Sequence, residues 1–159
     1  MWDNLRKAIS LERQQLRRLL QDYRPLLEKC AAAPPNLTEL SALALVLHSF
    51  YNGVENIFRR VATELGSGAP RGQFWHRRLL DSMKQPATAR PALISEQLAE
   101  RLDEYLQFRH LFRHSYGFDL DWNSMKPLAL ECQDTLKQLE WELDRFLETA
   151  DPGDREAAG

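Results

Sequence analysis

Apolar residues recur at helical spacing over most of the chain. In the first segment they follow one another at steps of three, four or seven residues, which places them on one face of an α-helix. These residues are Trp2, Leu5, Ile9, Leu16, Leu20, Tyr23 and Leu27. Pro25 lies inside the pattern and has no backbone donor, so the helix is expected to kink or end near Arg24.

The middle of the chain is more apolar than its beginning. A second helix is predicted from Leu37 to Leu65, with Asn36 or Thr38 as its N-cap and the Gly-Ser-Gly segment 66–68 after its end. Apolar residues cover more than half of its circumference. This helix is therefore expected to be largely buried.

Three further helices complete the pattern. A short third helix is predicted over 72–84, a fourth over 95–115 and a last one over about 125–149. The loops QPATARP and GFDLDWNS separate them, and no segment alternates long enough to predict a β-strand. The predicted fold is an all-α, antiparallel helical bundle of four long helices and one short helix.

Length and charge narrow the class of protein. The 159 residues suit one domain, assigned to 1–150, followed by a polar tail over 151–159 that is expected to be disordered. The net charge of −2 argues against a basic surface for duplex DNA. No apolar run approaches the roughly 20 residues of a membrane span. Two widely separated cysteines favour a reducing cytoplasm.

The stretch FRHLFRHSYGFDLDW concentrates cations where the fourth helix ends. The apolar seam of that helix continues into Arg109, and a buried guanidinium needs a partner. The second helix offers a polar stripe at steps of four, three and four: His48, Asn52, Glu55 and Arg59. If the two helices pack together, Glu55 is a candidate to accept two hydrogen bonds from Arg109.

The same stretch resembles a known motif. Arg109, His114 and Tyr116 have the R-x4-H-x-Y spacing of HEPN domains, specifically HepT-like toxins, and His110 takes the place of the polar residue that follows the arginine. FYNGVENIFRRVA and FWHRRLLDSM are similar to the second helix of HepT-like proteins and the segment after it. The resemblance covers most of residues 37–147.

The resemblance implies a function. HEPN domains are all-α bundles that dimerise, and many are ribonucleases that need no metal or cofactor. HepT-like members pair with a nucleotidyltransferase antitoxin that can adenylylate the motif tyrosine. The implied roles are catalytic for Arg109 and His114, modification for Tyr116 and supporting for His110, with Glu55 and Asn52 added from the polar stripe. The implied partners are an RNA substrate such as tRNA or mRNA, a cognate nucleotidyltransferase and a second copy of the chain.

The residue types suit metal-free RNA cleavage, which needs a base, an acid and a cation. Histidine transfers protons near neutral pH, and arginine binds phosphate through paired donors. One histidine and one arginine per chain are a sparse set. A two-fold dimer is therefore predicted, with the Arg109 and His114 sites near its axis.

Structural explanations remain open for these residues. Arg109 and Glu55 are equally consistent with a buried ion pair. His114 near a helix C-terminus is favoured by the helix dipole without catalysis. His110 has the alternative of a solvated histidine, and His76 is expected to be a surface or packing residue.

The stripe that contains His48 is also consistent with the lining of a helix interface. Tyr116 is also consistent with a ring packed on Trp122 or Phe112.

Two functions compete. The first function is an endoribonuclease toxin of a HEPN/nucleotidyltransferase pair. The alternative is a non-catalytic HEPN-like adaptor that binds a nucleotidyltransferase or a nucleotide. The complete Arg, His and Tyr set favours the ribonuclease.

Overall fold

The fold consists of α-helices joined by short connections. The computed structural model describes residues 2–66, 68–114, 116 and 119–153. The helices are α1 (Trp2–Asp22), α2 (Arg24–Ala32), α3 (Leu37–Leu65), α4 (Trp75–Met83), α5 (Glu96–Arg113) and α6 (Trp122–Ala150). The described residues contain no β-strand, so the predicted all-α bundle is confirmed. It has two short helices, α2 and α4, where one was predicted.

The additional short helix arises from the predicted break in the first segment. α1 ends at Asp22 and α2 begins at Arg24, with Pro25 in its first turn. The fixed backbone angle of proline suits the first turn of a helix, where its missing N–H costs little. The predicted break near Arg24 is confirmed, and the chain resumes as a separate helix.

α3 forms the centre of the bundle. Its bounds agree with the prediction, and Asn36 is the N-cap: Asn36 Oδ1 accepts from Glu39 N at 2.8 Å, and Glu39 Oε1 accepts from Asn36 N at 3.1 Å. α3 packs against each of the other five helices. A polar side chain on α3 therefore meets residues from several parts of the chain.

Two helix starts differ from the prediction by three residues each. α4 begins only at Trp75 because Phe74 and Gly72 have φ angles of 65° and 89°, outside the helical region. α6 begins at Trp122 because Asp121 caps it, accepting from Asn123 N at 3.2 Å. The connection before the last helix therefore ends at Asp121, three residues earlier than predicted.

The end of the chain is partly integrated into the bundle. Asp151, the first residue of the predicted disordered tail, is buried and accepts from Arg6 Nε at 3.0 Å. Residues 154–159 of that tail lie outside the described residues. Of the helices described, none is long and apolar enough to cross a membrane.

Candidate active site

Arg109 is fixed at the contact between α3 and α5. Its Nε donates to Asn52 Oδ1 at 2.7 Å, and Asn52 Nδ2 lies 3.1 Å from His48 Nε2. The amide nitrogen is a donor, so His48 Nε2 accepts and the ring proton is on Nδ1. Burial, then the nearby charges of Arg109 and Arg113, lowers the pKa of His48 and favours this neutral form.

Glu55 has a different partner from the one predicted. No ion pair joins Glu55 and Arg109 in the described part of the chain. Instead, Glu55 Oε2 accepts from His76 Nδ1 at 2.7 Å, and Glu55 is only 4% exposed. The reason is that α4 packs against both α3 and α5, which brings the imidazole of His76 to the carboxylate.

The expectation of a surface or packing role for His76 was incomplete. His76 belongs to a polar network that comprises His48, Asn52, Arg109, His76 and Glu55. The Trp75 and His76 rings stack with centroids 3.6 Å apart, and the Arg59 guanidinium lies over the Trp75 ring at 5.4 Å. Arg109 Nη1 is 3.5 Å from His76 Nδ1. That nitrogen donates to Glu55, so the contact with Arg109 is a close approach and not a hydrogen bond.

An open pocket of about 410 Å³ lies between α4 and α5 on this network. It is lined by three histidines and by arginines, including His76, Arg109, His110, Arg113 and His114. The His110 and His114 rings meet edge to face with centroids 4.8 Å apart. A somewhat larger cavity between α1, α2 and α6 contains no histidine and is remote from this chemistry. The cation-rich lining suits a polyanion.

Phe74 stands at the edge of this pocket in an unusual conformation. Its φ of 65° and ψ of 22° lie in the left-handed region, which is uncommon for a residue other than glycine. The residue is 68% exposed. An exposed aromatic ring beside several cations is a suitable surface for a nucleobase.

His114 and Tyr116 lie at the exit of α5. His114 is the C-cap residue and is exposed, and its N–H donates to Leu111 O at 3.1 Å. Tyr116 is 72% exposed, and its backbone N–H donates to Asp119 Oδ2 at 3.1 Å. The turn expected at Gly117 lies outside the described residues.

Two buried polar atoms next to the network have no hydrogen-bond partner within the described residues. They are His48 Nδ1 and the hydroxyl of Tyr51. Burial, with the Glu55 charge as the next cause, raises the pKa of Tyr51 well above its usual range. The hydroxyl of Tyr51 therefore stays protonated.

The fold and the pocket define the class of protein, an all-α helical bundle with a pocket lined by histidines and arginines. The family model for HepT-like proteins matches residues 42–150, more than half of the chain. The chain belongs to this family. No curated protein and no solved structure matches it. The matched region includes the whole polar network, whereas α1 and α2 precede it.

Proposed function

We propose that this protein is a metal-independent endoribonuclease toxin that cleaves RNA in the pocket between α4 and α5. The observation that supports it best is the anchored guanidinium of Arg109, fixed through Nε to Asn52 beside a pocket lined by three histidines. Arginine binds phosphate through several donors, and its Nη groups remain for the RNA. The expected targets are tRNA or mRNA in the cytoplasm.

The proposed reaction is transfer within the RNA backbone. The ribose 2′-oxygen attacks the adjacent phosphorus, the bond to the 5′-oxygen breaks, and a 2′,3′-cyclic phosphate and a 5′-hydroxyl form. Arg109 stabilises the extra negative charge of the transition state. His114 is the C-cap residue of α5 and lines the same pocket as Arg109. This supports His114 as the acid that protonates the leaving oxygen.

The test is incubation of the purified protein with tRNA and total RNA in EDTA. Wild type is expected to produce fragments with 2′,3′-cyclic phosphate ends. Arg109→Ala and His114→Ala are each expected to lower the rate by about 10²–10⁴-fold. Arg145→Ala is the matched control, because Arg145 is exposed on α6 beside Trp141. If wild type cuts no RNA and does not arrest growth, the adaptor function is favoured.

Control by a nucleotidyltransferase partner is the second part of the proposal. The ring of Tyr116 stands two residues beyond His114 and is largely exposed. Its hydroxyl oxygen would attack the α-phosphate of ATP, with loss of the hydroxyl proton and departure of pyrophosphate. The bound AMP would add an anion and bulk at the cation-rich end of α5, which opposes the entry of RNA.

Intact mass tests this modification. The chain is co-expressed with a candidate nucleotidyltransferase antitoxin. Wild type is expected to gain one or more AMP units and to lose ribonuclease activity. Tyr116→Phe should show no gain, and Tyr23→Phe, a control in the α1–α2 connection, should behave as wild type. An equal gain on Tyr116→Phe would exclude this residue. Inhibition without any gain would indicate inhibition by complex formation.

A homodimer is the third part of the proposal. The pocket is open, and large apolar side chains remain exposed beside it: Phe74 and, on α5, Leu111. Covering them against a second copy would give each pocket a facing wall.

A further inference from the structure

We propose that His76 is the general base of RNA cleavage and that Glu55 positions it. This inference rests on the proposed ribonuclease function. It adds a second proton-transfer residue to the same chain, from an element outside the R-x4-H-x-Y segment. The resulting set is a base on α4, a cation on α5 and an acid at the end of α5.

The hydrogen bond between Glu55 and His76 determines which nitrogen of the His76 ring is available to accept a proton. A carboxylate only accepts hydrogen bonds, so the 2.7 Å contact places a proton on His76 Nδ1. In the neutral ring Nε2 then has a lone pair. Within the described residues, both polar contacts of the His76 ring are made by Nδ1 and none by Nε2. A base requires this tautomer, with Nε2 able to accept a proton.

The position of His76 relative to Arg109 suits the same reaction. Arg109 Nη1 lies 3.5 Å from His76 Nδ1, and both residues line the pocket. A phosphate bound by the guanidinium would therefore lie next to the imidazole. Stacking on Trp75 and the bond to buried Glu55 hold the ring in place. Glu55 also stabilises the imidazolium that forms when the base has taken its proton.

The proton balance assigns one step to each histidine. His76 Nε2 takes the proton of the 2′-hydroxyl while the 2′-oxygen bonds to phosphorus. The bond from phosphorus to the 5′-oxygen breaks, and the 5′-oxygen takes a proton from the His114 imidazolium. His76 ends protonated and His114 neutral, and exchange with water restores both. Glu55 is buried and does not line the pocket, so it is a positioning residue.

A substrate with sulfur in place of the bridging 5′-oxygen separates the base from the acid, because a thiolate leaves without being protonated. On ordinary RNA, His76→Ala and His114→Ala are both expected to lose about 10²–10⁴-fold in rate. On the 5′-thio substrate, His114→Ala should recover towards the wild-type rate, whereas His76→Ala should not. Added imidazole is expected to restore part of the His76→Ala rate.

Glu55→Gln tests the positioning role. The amide oxygen can still accept from Nδ1, but the charge that stabilises the imidazolium is removed. The expected result is a lower kcat with KM and RNA affinity, measured by fluorescence anisotropy, close to wild type. Thermal melting establishes that each variant is folded. A fall in RNA affinity with unchanged kcat would indicate that Glu55 only shapes the pocket, and would overturn this role.

Other outcomes distinguish this inference from the function on which it rests. If wild type and His76→Ala cleave RNA equally while His114→Ala does not, the ribonuclease proposal holds and the base assignment is overturned. Recovery of His76→Ala on the 5′-thio substrate would make it the acid and also overturn the assignment. If wild type cleaves neither substrate, both proposals fail.

Discussion

At the scale of single residues, the uncharged amide of Asn52 separates the imidazole of His48 from the charged guanidinium of Arg109. Asn52 lies between the guanidinium and His48, donating to the ring on one side and accepting from Arg109 on the other. Burial, and then repulsion from the charge of Arg109, disfavours a protonated His48. Stability should therefore depend on pH through His48.

The first prediction concerns this dependence. The pKa of His48 is lowered in the folded protein, so between that pKa and the unfolded value near 6.5 the unfolded chain binds more protons. The free energy of unfolding should therefore fall as pH falls through this window. In His48→Gln the amide can still accept from Asn52 and nothing titrates, so the fall should be smaller.

Urea unfolding at several pH values between about 7.5 and 5 measures the difference. Other groups titrate in both proteins, so only the difference between the two curves reports on His48. Parallel curves for wild type and His48→Gln would contradict the prediction. The same measurement on His110→Gln, an exposed histidine of α5, gives the control.

The residues of the site differ in how far the sequence could predict them. Helical spacing placed Asn52 and Glu55 on one stripe, and the structure indeed brings Asn52 to Arg109. The partner of Glu55 was predicted wrongly, because two basic groups compete for one carboxylate. The choice depends on how α4 lies against α3, which the spacing of residues within one helix does not determine. Glu55 was assigned to Arg109 alone, although the sequence also offers His76, in the next predicted helix, as a basic partner.

At the scale of helices, α3 is an example in which the sequence is sufficient to predict both ends of a helix. Asn36 and Glu39 supply a complete capping box at its start, and an apolar run ends before the glycines at its end. The start of α6 was missed because the side chain of Asp121 determines it, while the apolar pattern begins only at Met125. Periodicity locates the middle of a helix better than its ends.

The second prediction tests the close approach of α1 to α3. A Cβ added at Gly53 would lie 2.5 Å from Leu16 Cδ2, inside the contact distance of the two atoms. Leu16 is buried and has little room to move. The overlap should destabilise the fold by about 1–3 kcal/mol, whereas the higher helix propensity of alanine should stabilise it by about 1 kcal/mol. We therefore expect Gly53→Ala to lower the free energy of unfolding.

A double-mutant cycle identifies the cause. Leu16→Ala removes the atoms in question, and in that background Gly53→Ala should become neutral or stabilising, since only the helix propensity remains. Urea unfolding of the four proteins gives the coupling energy. An equal effect of Gly53→Ala in both backgrounds would mean that the contact with Leu16 is not the reason.

At the scale of the whole molecule, the first helix and the last are joined by charges as well as by the core. Arg13 pairs with Asp144 at 2.6 Å and with Glu140 at 3.4 Å, and Arg17 also pairs with Glu140 at 2.6 Å. Apolar residues of α1 belong to the same core as those of α6. The region that matches the family is thus continuous with α1.

The third prediction concerns assembly. Leu111 is 53% exposed on α5, next to His110 of the pocket, so it is suited to meet a second copy near the site. We expect light scattering at micromolar concentration to give twice the 18.5 kDa of one chain. Leu111→Glu places a charge on the predicted contact, so the mass should shift towards that of one chain.

The same variant tests whether the two sites lie near the dimer axis. If each pocket needs the facing copy as its wall, Leu111→Glu should lose ribonuclease activity together with the dimer. Leu11→Glu, at an exposed leucine of α1, should keep both. A wild-type mass near 18.5 kDa would contradict the dimer. If Leu111→Glu is monomeric and fully active, the dimer contact has no role in cleavage, because the pocket of one chain then suffices.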